Sequence, residues 1–168
     1  MSVVETRLAS LIEQMPKEGY KAAVVQGVVE RIREIVDAAL NASKLIECLG
    51  QAKGACKESF CNPACARIYM IRDGDRVRIG KFMSNPIGIE IEPGLVVFTT
   101  RNARLEVRSD GVVRAKLLGL DETVRLSDVD EVFKHSYLIK RVVREVGRRT
   151  DIIVQDLRAC AMRMALVC

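Results

Sequence analysis

The chain has no tryptophan, a single histidine and only 4% aromatic residues, against 49% hydrophobic residues in all. A core in such a sequence has to be assembled from Val, Ile, Leu, Ala and Met. The lone histidine, His135, is flanked by Lys134 and Ser136 in a helical stretch, and it is expected to face solvent. Without a second histidine, and without GxSxG, P-loop, GxGxxG or HExxH motifs, the sequence offers no catalytic residue and calls for no cofactor; it reads as a non-enzyme. No uncharged apolar run reaches the roughly 18 residues of a membrane span. The opening MSVVETRLAS lacks the apolar stretch of a secretory signal. These absences lead to the expectation of a cytoplasmic protein with no membrane partner.

CxxC pairs are missing too, although the chain has six cysteines. The first four are Cys48, Cys56, Cys61 and Cys65, with seven, four and three residues between them. Zinc sites usually use two-residue spacing so that both thiolates reach one ion, so no metal is assigned. The expectation is one or two disulfides tying an irregular loop to the end of a long helix and the start of the first strand. Each would stabilise the fold by about 2–4 kcal/mol. A metal- or redox-linked protein organised around the same four cysteines is the alternative reading. Cys160 and Cys168 fall on an apolar helical stripe and are expected to serve as small core or interface residues.

What is abundant is charge. Arg outnumbers Lys by 18 to 9, while Asn and Gln together number eight, a balance that suits a heat-adapted source. Intracellular disulfides are a recognised exception in such organisms. The net charge of +5 and pI near 9.0 suit an acidic partner such as nucleic acid.

Periodicity divides the chain in three. Val4, Leu8, Leu11 and Met15 form one helical stripe that stops at Pro16 and Gly19, and a longer helix is expected from about Tyr20 to Leu49. Residues 66–119 read as an antiparallel β-meander, with bends at Asp73-Gly74, Asn85-Pro86, Glu92-Pro93-Gly94, Asn102-Ala103 and Ser109-Asp110-Gly111. From Ser127, with Asp130 as an approximate capping partner, the pattern is helical again. Val132, Ile139, Val146, Ile153, Cys160 and Val167 recur every seven residues, and Gly147 and Thr150-Asp151 are candidate breaks. The fold class expected is α+β: N-terminal helices packed on an antiparallel meander, then a C-terminal helical region. The division is residues 1–125 for binding and 126–168 for oligomerisation. A continuous helix of that length would outrun a compact domain, so Ile153, Leu157, Cys160 and Met164 are expected to be left for a second copy of the chain.

Turn positions fix which side chains share a sheet face. With Asp73-Gly74 as the loop, Tyr69 lies opposite Arg78 and Ile71 opposite Arg76. Ile68, Met70, Val77 and Ile79 then face the core with Lys81 at the end, and Arg67, Tyr69, Arg76, Arg78 and Phe82 face out. The second hairpin turns Leu105, Val107, Val113, Ala115 and Leu117 inward and Arg104, Arg108, Arg114 and Lys116 outward, with Glu106 among them and Arg101 and Thr99 alongside. Ile87, Ile89 and Ile91 face in, leaving Glu90 and Glu92 as an acidic margin. A basic face with Tyr69 and Phe82 for stacking suits a single strand of DNA, or of RNA, held with little sequence preference. A non-catalytic helical assembly subunit is the remaining alternative.

The order of parts resembles the ThermoDBP family and related archaeal single-stranded DNA-binding proteins: helices at 3–49, a sheet at 66–119 bearing Arg67, Tyr69, Arg76 and Arg78, and a helical region with the Val132–Val167 recurrence. The resemblance implies a helical layer on a sheet, a basic cleft with apolar walls, and a homo-oligomer formed through helices.

Overall fold

Ser2 opens the first helix: its Oγ accepts from the Glu5 backbone N–H at 3.0 Å, satisfying one of the donors that a helix start leaves unpaired. In the computed structural model, which describes residues 2–51, 68–81 and 86–163, α1 (Val3–Gln14) buries Val4, Leu8 and Leu11. It ends where Met15 turns extended ahead of Pro16. Helix α2 (Tyr20–Gln51) is 32 residues long and buries a stripe from Val25 through Val29, Ile32, Val36 and Ala39 to Leu45.

Seven strands of six residues follow, β1 (Ile68–Asp73), β2 (Arg76–Lys81), β3 (Ile87–Glu92), β4 (Leu95–Thr100), β5 (Ala103–Arg108), β6 (Val112–Leu117) and β7 (Leu120–Arg125). They form one antiparallel sheet in sequence order. The meander is therefore one strand longer than its expected end at residue 119. In β7 only Val124 is buried, so its apolar alternation is too sparse to read. The short helix α3 (Val129–Lys134) is capped by Asp128 rather than Ser127, the Asp128 carboxylate accepting from Glu131 N–H at 3.2 Å. The chain then kinks at His135 into α4 (Ser136–Arg163).

Helix α4 lies on the sheet, and α2 lies beside α4 running in the same direction. Gly27 and Val28 neighbour Lys140 and Val143, while Ile35 reaches Gly147. A Cβ on Gly147 would sit 2.7 Å from an Arg31 guanidinium nitrogen and 3.0 Å from Ile35 Cδ1, so this glycine permits close helix approach and does not break the helix. Thr150 is buried mid-helix, its hydroxyl donating to Val146 O at 2.9 Å.

This arrangement corrects the expected oligomer interface. Ile153 and Cys160 are fully buried and Leu157 is 2% exposed within the single chain, in which α4 packs against both the sheet and the long α2. One apolar cluster holds residues from both sides of the 125/126 boundary. Met164, Cys168, Arg67, Phe82, Cys56, Cys61 and Cys65 lie outside the described residues. Lys81, a cation on the core-side face, is matched by Asp156 of α4 in a part-buried ion pair.

Between α1 and α2 the Asp37 carboxyl faces Glu5. Burial first, then the neighbouring Glu5 carboxyl, push its pKa up to about 6, and Asp37 Oδ1 is buried without a hydrogen-bond partner. A carboxyl whose pKa is raised on folding stabilises the protein below the unfolded value of 3.8, and that contribution is lost as pH climbs through about 6. Asp37→Asn should therefore raise the melting temperature at pH 8 by about 2–4 °C, the equivalent of about 1 kcal/mol after allowance for solvent screening, and change it little at pH 4. Melts at the two pH values check this; an equal shift at both would dissociate it from titration.

Candidate nucleic-acid interface

The β1–β2 loop is Gly74-Asp75, with Asp73 opposite Arg76, so Ile71 pairs with Arg78 and Tyr69 with Gly80. Each partner has moved by two residues from the expected pairing. Because side chains alternate with period two, the two faces keep their membership. Arg76 and Arg78 are exposed on the outer face, as are Arg104, Arg108, Arg114 and Lys116; Val77, Ile79, Leu105, Val107, Val113 and Ala115 are buried on the inner one. Arg101 is not on a strand, since it forms the β4–β5 turn with Asn102.

What the sequence pattern does not convey is that these arginines have partners. Arg76 reaches Glu90 at 3.1 Å and Glu92 at 2.9 Å, and Arg78 reaches Glu90 at 3.5 Å. Arg104 meets Glu106 at 3.1 Å and Arg108 meets Asp110 at 3.0 Å. Arg114 donates two hydrogen bonds to Asp121, at 2.9 and 2.6 Å, which raises the arginine pKa and lowers that of the aspartate. Glu90 and Glu92 are thus no acidic margin: β3 sits between β2 and β4, and its acids neutralise the neighbouring strand. Val97, an outer-face residue opposite Glu90 and Glu106, is only 3% exposed beneath this lattice. Tyr69 covers backbone: a Cβ on Gly80 would fall 2.2 Å from its hydroxyl oxygen. His135 is likewise not turned to solvent; its Nε2 sits 3.6 Å from Glu122 and 3.5 Å from Glu131, with the side chain 18% exposed.

Four exposed cations without a carboxylate at ion-pair distance, Arg101, Lys116, Arg141 and Arg144, lie at one end of the sheet; Arg125, likewise unpaired among the described residues, stands at the opposite end of β7. At the four-cation end the β4–β5 and β6–β7 turns are joined by Leu118 N–H donating to Asn102 O at 2.9 Å. On the outer side, Arg101, Arg104 and Lys116 line a depression of about 210 Å³ with Leu118. On the other side Leu118 and Asn102 border a second one of about 250 Å³, lined by Arg141, Arg144, Glu145 and Arg148 of α4. Asp121 lies opposite Lys116 in register but is held by Arg114, and Glu145 is taken by Arg148 and Arg149. Arg101, Lys116, Arg141 and Arg144 therefore form a cationic strip that passes over the turns from the sheet face to the helix. Beyond Arg144 it continues into a groove of about 420 Å³ between α2 and α4.

The strip also has an aromatic ring. Tyr137 is 73% exposed, and Arg141 donates to its hydroxyl at 3.3 Å with the guanidinium carbon 5.8 Å from the ring centre. Tyr137, Arg141, Arg144 and Arg148 fall at i, i+4, i+7 and i+11, one helical flank, so a basic stripe was there to be read beside the heptad. The apolar heptad on the same helix is the stronger periodic signal and hides it.

No family model, no curated protein and no solved structure shows a significant match to the chain. Among the described residues no group of three metal-ligating side chains is gathered, and no described helix is long and apolar enough to cross a membrane.

Proposed function

We propose that this protein binds single-stranded nucleic acid, DNA foremost, with little sequence preference, and that the strand follows the cationic strip at the turn end of the sheet. The observation that carries this reading is the segregation of charge. Arg76, Arg78, Arg104, Arg108 and Arg114 on the face are neutralised by neighbouring acids, while Arg101, Lys116, Arg141 and Arg144 are left with their charge available along one path. A phosphate approaching Arg76 or Arg78 must displace Glu90, whereas one approaching the strip displaces only water and counterions. Tyr137 supplies a stacking surface for an unpaired base, at about 1–3 kcal/mol. The ThermoDBP-like reading is thus kept for ligand class and changed in place. Arg104 borders the strip, and Arg76, Arg78, Arg108 and Arg114 hold the platform. The proposal needs no second subunit.

Titration of a dT oligomer at several salt concentrations tests it. Four phosphate contacts on a single strand should give log affinity falling against log salt with a slope of about 3. An rU oligomer run in parallel reads the preference between DNA and RNA. Binding that ignores salt, or no binding to either, would remove the proposal.

A further inference from the structure

Leu118 occupies a position that the fold does not explain. It is the one non-glycine among the described residues with a positive φ, at 54°, in the two-residue β6–β7 turn. L-residues with a branched apolar side chain adopt that conformation at a cost, and turns of this kind ordinarily place Asn, Asp or Gly there. Its neighbour Gly119 is the residue that tolerates any backbone, yet the strain falls on the leucine. Burial does not compensate, since the side chain is 70% exposed and Leu120 beside it is 60% exposed. Nor is the tip loose: Leu118 N–H is fixed to Asn102 O at 2.9 Å. The result is an apolar side chain held outward at the crest between the two depressions, with Lys116 and Arg101 on one side and Arg141 and Arg144 on the other.

We infer that Leu118 is a base-contacting wedge: the strand crosses the crest, its phosphates engage the cations on either side, and the base between them leaves the stack to lie against the Leu118 side chain. A nucleobase is the occupant that the surroundings favour, because an apolar surface flanked on both sides by cations matches a flat uncharged group flanked by phosphates. A free organic anion would satisfy one bank only. Strain retained at an exposed apolar residue then has a function outside the folded chain. This inference rests on the strand-binding reading above.

The test sets stability and affinity against each other. Leu118→Asn and Leu118→Gly both suit the positive φ, so each should melt no lower than the wild type, while affinity for a dT oligomer falls about tenfold, the loss of one base contact. Leu118→Phe, with a larger apolar face, should hold affinity within about twofold. An oligomer carrying 2-aminopurine should brighten on binding wild type, as one base unstacks, and brighten less with Leu118→Asn. Wild-type binding with both polar-tolerant variants equally tight would overturn the wedge and leave the strip standing. Variants that lose stability and affinity together would assign Leu118 to the fold and overturn the wedge as well. Failure of the wild type to bind any oligomer would overturn both readings.

Discussion

Substituting Arg101, Lys116, Arg141 and Arg144 together by Ala should reduce affinity for a dT oligomer on the order of 100-fold near physiological salt and flatten the log–log salt slope by about 3. All four side chains are exposed and make no carboxylate pair among the described residues, so their removal leaves no buried charge stranded and the melting temperature should hold. The informative comparison is Arg76→Ala with Arg78→Ala. The composition of the sheet face alone would make that pair equally damaging. The structure puts Glu90 and Glu92 against them, at distances of 2.9 to 3.5 Å, so their loss should cost less than about threefold in affinity and leave the slope nearly unchanged. Electrophoretic mobility or fluorescence anisotropy at three salt concentrations separates the cases. If the sheet-face pair proved the more damaging, the strand would run across the sheet instead.

The largest effect on stability is expected at Phe98. Among the described residues it is the bulkiest fully buried side chain, at 0% exposure on β4 with Ile89 and Leu105 opposite it on the flanking strands. A chain with 4% aromatics has few other ways to fill the space between sheet and helices. Phe98→Ala removes that volume from a region where β-strands on both sides resist collapse, so the cost should lie at about 3–5 kcal/mol. For a chain of this size that lowers the melting temperature by roughly 10 °C or more. Tyr137→Ala and Tyr20→Ala remove rings that are 73% and 78% exposed, and they should move the melting temperature little by comparison. A Phe98→Ala protein melting within about 3 °C of wild type would mean that the core around β4 repacks.

The ends of α1 and the start of α2 were legible from Pro16, Gly19 and one apolar stripe, because capping and backbone restriction are local. The division of the sheet into an apolar and a charged face was legible as well, and it survived a mistaken pairing at Asp73-Gly74. Moving the register by two residues returns every side chain to its original face. Strand β7 was not legible, since an edge strand with one buried residue carries almost no alternation.

By itself, then, the sequence determined the α+β class, the order of the parts and the side to which each strand turns its apolar residues. These follow from backbone preferences and from periods of two and 3.6, which act between near neighbours in the chain. Tertiary structure alone decided which charges face each other and which stripe meets which. Arg114 is silenced by Asp121 across a hairpin, and Arg76 by Glu90 on the next strand; neither pairing has a signature in composition. The stripe through Ile153, Leu157 and Cys160 looked like surplus until α2 was found alongside it, more than 100 residues earlier in the chain. Coulomb forces and apolar burial depend on distance in space, and only the folded chain sets that distance.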